Sequence, residues 1–97
     1  MLELKIYIGT TYIDNQGNEH KIAYQKAVND IQLEFEDCTI YTTIGQWHYI
    51  DETTIVVELI VKPEEVPNII EKVNTIKEKF NQEEILVTKK DVDFITI

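Results

Sequence analysis

Arginine does not occur in this 97-residue chain; all nine basic residues are lysine, set against eighteen acids for a formal charge of −9. The bidentate fork that suits phosphates and guanine edges is therefore missing, and little positive charge is left to neutralise a nucleic-acid backbone. Direct nucleic-acid binding is disfavoured. Cys38 is the single cysteine, which excludes an internal disulfide and agrees with a reducing compartment. No apolar run approaches the ~20 residues of a membrane-spanning helix. Met1-Leu2-Glu3-Leu4-Lys5 enters a strand-like alternation at once, unlike a secretion signal. Cytoplasmic residence without membrane contact is expected. No repeat, low-complexity stretch or linker interrupts the chain, so residues 1–97 read as a single domain, of a size that hides roughly 60–65% of its unfolded surface.

The negative charge is local. Between Lys26 and Lys62 there is no basic residue, while Asp30, Glu34, Glu36, Asp37, Asp51, Glu52 and Glu58 all fall there. Residues 1–26 balance to zero, and residues 62–97 carry only a small excess of acids over lysines.

Hydrophobic periodicity orders the elements. Leu2, Leu4, Ile6 and Ile8 alternate with Glu3, Lys5 and Tyr7, the pattern of a strand with one face on a core. Asp14-Asn15-Gln16-Gly17-Asn18 is a turn cluster. From about Glu19 to Glu36, Tyr24, Ala27, Val28, Ile31 and Phe35 recur at helical spacing. Cys38, Ile40, Thr42 and Ile44 alternate again up to Gly45, where a bulge is expected because Trp47 and Tyr49 take the opposite parity. Asp51-Glu52-Thr53 reads as a turn and Thr54 to Val61 as a central strand. Pro63 to Pro67 opens a second helix with the stripe Val66, Ile69, Ile70, Val73, Ile76 and Phe80. Glu84 to Thr88 is a strand and Lys89-Lys90-Asp91 a turn or bulge, after which the alternation allows a short extra C-terminal strand from Val92 to Ile97.

The order β-α-β-β-α-β predicts an α+β, ferredoxin-like sandwich: a four-stranded antiparallel sheet in the order 4-1-3-2 with two helices on one face. The other face would show Glu3, Lys5, Tyr7, Tyr41, Val56, Glu58 and Ile60, too apolar to stay wholly wet, and a homodimer that covers it is expected.

Lys5-Ile6-Tyr7-Ile8-Gly9, Thr43-Ile44-Gly45-Gln46-Trp47, Val57-Glu58-Leu59-Ile60-Val61 and Phe80-Asn81-Gln82-Glu83-Glu84-Ile85-Leu86-Val87 together resemble a family of small uncharacterised bacterial and phage proteins known only as a domain of unknown function. The resemblance implies the same ferredoxin-like arrangement and a phage or prophage setting, and brings no catalytic residue with it.

Three constellations bear chemistry. Gln46, Trp47, His48 and Tyr49, with Tyr7 and Tyr41, gather rings with polar tips that suit a ligand pocket or an interface. Asp30, Glu34 and Asp37 fall at i, i+4 and i+7 and, with the Asp51-Glu52 turn, offer an acidic docking surface for a basic protein partner. Thr10, Thr11 and Lys21 flank a loop ahead of a helix and could hold an anion. The spacing of His48, Asp51 and Glu52 matches no standard ligand motif, so no metal and no cofactor is expected. The leading expectation is a non-catalytic binding or inhibitory protein, in a phage setting a modulator of host or defence machinery. The alternatives are a small cofactor-independent enzyme using His48 as its proton-transfer group, and an anion- or nucleotide-sequestering protein.

Overall fold

The computed structural model describes residues 1–47 and 50–97, together with the side chains of all of these except Trp47 and Ile50. Its elements run β1 (Leu2–Gly9), β2 (Thr11–Ile13), β3 (Glu19–Lys21), α1 (Tyr24–Glu34), β4 (Thr39–Trp47), β5 (Ile50–Val61), α2 (Val66–Lys79) and β6 (Leu86–Asp91), with a 3-10 turn over Pro63–Glu65 leading into α2. Four strands make an antiparallel sheet in the order β4-β5-β1-β6, while β2 and β3 form a separate two-stranded sheet.

Period-two alternation decides the register of the inner strands. Leu4 lies opposite Leu59, Ile6 opposite Val57 and Ile8 opposite Ile55, so one face of β1 and β5 is apolar throughout. Ala27, Ile31 and Phe35 from the α1 segment and Ile69, Val73, Ile76 and Phe80 from the α2 segment join those residues in one core cluster. Ile31 and Ile76 are fully buried, each contributing about 1.5–3 kcal/mol relative to exposure. No described helix is long and apolar enough to cross a membrane.

The α+β class and the four-stranded antiparallel sheet match the sequence expectation, but the ferredoxin-like βαββαβ succession does not. Three strands, not one, precede the first helix, because residues 11–21 close on themselves as a hairpin. Asp14 Oδ1 accepts the backbone N–H groups of Gln16 at 2.9 Å and Asn18 at 2.8 Å. Gly17 takes a positive φ of 83°, and the Tyr12 and His20 rings stack at 4.8 Å across the pair. Glu19 to Lys21 are thereby strand, and α1 begins at Tyr24.

The expected bulge at Gly45 is absent: β4 and β5 stay in one register from Thr39 opposite Glu58 to Trp47 opposite Ile50. Asp51-Glu52-Thr53 is consequently strand rather than turn. Thr42 and Ile44 share the core-facing side with Ile40 but are exposed: Thr42 stands on the outer strand beside the buried Ile55, and Ile44 lies opposite the exposed Thr53, past the end of the core. The extra C-terminal strand also does not form. Leu86 to Asp91 pair continuously with Leu2 to Tyr7, and residues 92–97 have no regular structure.

Candidate functional site

The site begins with how α2 ends. Asn81 adopts the left-handed region at φ 51°, which asparagine tolerates better than most residues. Its N–H donates to the Glu78 carbonyl and that of Gln82 to the Lys77 carbonyl at 3.1 Å, the paired bonds of a Schellman motif. Lys77 and Lys79 in the last turn suit the negative end of the helix dipole. This reversal aims Gln82 back across the fold. Its Nε2 donates to the Phe80 carbonyl at 3.2 Å and to the Thr11 carbonyl at 3.1 Å.

Glu52 arrives from the opposite side because β5 extends below Thr54. Its Oε2 accepts the Thr11 N–H at 3.0 Å, and Thr10 Oγ1 donates to the Thr53 carbonyl at 2.7 Å. Gly9 leaves the space in which the two side chains meet: a Cβ there would lie 2.6 Å from Glu52 Oε1 and 2.7 Å from Gln82 Oε1. These oxygens are close enough together for one donor to reach both. Among the described residues neither has a hydrogen-bond or ion-pair partner.

They open on a cleft of about 430 Å³ that also borders the 81–87 segment. Tyr7, Ile13 and Leu86 provide apolar wall, Glu52, Glu83 and Glu84 add carboxylates to the lining, and no described lysine lines it. Thr11 lines it as well; only 2% exposed, it keeps a buried hydroxyl with no partner among the described residues.

Of the residues singled out in the sequence, Tyr7 and Gln46 border this cleft. Tyr41 lies elsewhere on the open sheet face, where its hydroxyl donates to Glu58 Oε1 at 2.8 Å. That bond, with burial second, pushes its phenol up to about 12. The side chain of Trp47, and His48 and Tyr49 entirely, lie outside the described residues. Thr10, Thr11 and Lys21 do meet around a smaller cavity of about 260 Å³, but Asp51 and Glu52 share its wall.

The five acids proposed for docking are spread from one end of α1 to the other. Asp30 pairs with Lys26 at 2.9 Å and Glu34 with Lys79 at 3.8 Å. Asp37 follows the C-terminal end of α1, whereas Asp51 and Glu52 stand near Tyr24 at its start. Cys38 is half-buried against the core, and burial followed by the charge of Asp37 pushes its thiol up, away from nucleophilic thiolate.

The sequence reading missed Gln82 as a site residue. Its one legible signal is an asparagine directly after the last member of the α2 stripe, a position that reverses the chain and redirects the residue behind it. Compared with protein-family models and with curated proteins, the chain matches none.

Proposed function

We propose that this chain is a binding protein whose cleft takes a cationic group, an ammonium or guanidinium on an apolar stem. The observation that carries the reading is the orientation of Gln82. With its amide nitrogen committed to two carbonyls, its oxygen is left beside the Glu52 oxygen that has no partner among the described residues, so these two side chains turn acceptors toward the cleft. The Glu52 and Glu84 carboxylates in the lining favour positive charge, and the walls of Tyr7, Ile13 and Leu86 suit a methylene stem. The volume falls in the range of small-ligand sites. A lysine or arginine side chain of a protein partner and a free alkyl amine share this chemistry.

Chemical-shift titration of the ¹⁵N-labelled protein with butylamine, butylguanidine, butanol and a short arginine-containing peptide tests it. The cations should move the amides of Gly9, Thr11 and Gln82 and the alcohol should not; tighter binding of the peptide than of butylguanidine would point to a protein partner. Glu52→Gln should weaken cation binding by about tenfold or more. Unchanged affinity in that variant would defeat the proposal.

The enzymatic alternative depends on His48, outside the described residues. The anion-binding alternative sets Lys21 against Asp51 and Glu52 in one cavity, a balance that opposes it.

A further inference from the structure

The sheet has two edges, and they are built differently. β6 carries Lys89, Lys90 and Asp91 along its six residues, the charged dressing that keeps an edge from pairing with another chain. β4 has none of this. It is nine residues long, has no proline, and lies within a stretch from Cys38 to Ile50 that holds no lysine, arginine, aspartate or glutamate. Threonine, isoleucine and tyrosine dominate it, residues at home in a pleated sheet.

The outer side of β4 is open. Among the described residues, no backbone hydrogen bond outside the β4–β5 ladder reaches it. Large apolar side chains stand exposed on both its faces: Tyr41, 39% exposed, on the open sheet face, and Ile44, 81% exposed, on the helix side past the end of the core.

We propose that β4 is an association edge and that its partner is β4 of a second copy, paired antiparallel about a two-fold axis so that two four-stranded sheets become one. Charge argues for this occupant. The excess acids of the chain lie mostly between Lys26 and Lys62 but on residues outside β4, and this strand can lie against its own copy with no like charges opposed along either strand. An isologous contact needs one self-complementary patch, and an uncharged antiparallel edge is complementary to itself. Tyr41 and Ile44 then gain cross-strand neighbours in place of water.

Sedimentation equilibrium of the intact chain over a wide concentration range should show a species of twice the 11.4 kDa chain mass. Thr43→Lys, at the exposed middle of the strand, places like charges near the two-fold axis and should raise the dissociation constant by about tenfold or more; Asn74→Lys on the exposed side of α2 should not. In the unaltered protein, hydrogen exchange of the β4 amides should slow as concentration rises, a readout that does not depend on any variant folding. A monomer at every concentration overturns the proposal. So does a dimer that survives Thr43→Lys with unchanged circular dichroism, or one that dissociates on Ile60→Lys, on the open sheet face, while tolerating Thr43→Lys.

Discussion

Gln82 donates its side-chain amide to the backbone carbonyl of Thr11, 71 residues earlier in the chain, and so ties the end of α2 to the strand that leaves β1. The bond is part-buried between two residues that line the cleft, which makes it both a structural clasp and the device that orients the carboxamide oxygen.

Gln82→Glu keeps the shape of that side chain but removes both donors and sets a second carboxylate beside Glu52. Urea denaturation should show a loss of about 1–3 kcal/mol, recovered in part at low pH as the carboxylates protonate. A variant as stable as the parent at neutral pH would mean that the clasp contributes nothing.

Asn81 holds a left-handed backbone with a side chain in place, so removing that side chain relieves strain. Asn81→Gly should raise stability by a few tenths to about 1 kcal/mol, and Asn81→Val should lower it by about 1–2 kcal/mol. Thermal unfolding of the two variants should move in opposite directions; a common direction would contradict the Schellman assignment.

Tyr41 titrates late because ionising it breaks its bond to the Glu58 carboxylate. Its folded-state value of about 12 lies above the ordinary 10, so the stabilisation is complete below pH 10 and is lost as pH rises through 12. Ultraviolet difference titration should resolve one tyrosine near 12 that returns towards 10 in Glu58→Ala. A set of tyrosines all titrating near 10 would count against the bond.

Asp14 shows the opposite sign. His20, then the Asn18 backbone N–H, holds its carboxyl down at about 2, against an ordinary 3.8. The hairpin therefore gains from an ionised Asp14 at all pH values above 3.8 and loses that gain as pH falls through 2. Carboxyl-carbon chemical shifts should place the midpoint near 2 and, in His20→Ala, closer to 3.8; a midpoint already at 3.8 in the parent would remove the pair.

Periodicity carried the sequence reading a long way. Leu4, Ile6 and Ile8 announce an inner strand, and Ile69, Val73 and Ile76 a helix face, because each pattern records which side of a local element meets the core. The short hairpin at residues 11–21 escaped it. Three-residue strands are too brief for a period to register, and their pairing rests on Asp14, Gly17 and the stacked Tyr12 and His20. The strand character of Asp51 to Thr53 was hidden for a related reason. Polar residues there read as a turn, whereas in the structure they belong to a hairpin reaching past its core, where strands need no apolar face.

What the chain determines by itself is the set of local periods, the helix stop at Asn81 and the uncharged stretch that became an edge strand. Only tertiary structure decided that Glu52 and Gln82 face one another across Gly9. Sequence spacing encodes which face of an element is buried, but the meeting of residues far apart depends on strand register and helix-end geometry, which follow from packing the whole core at once.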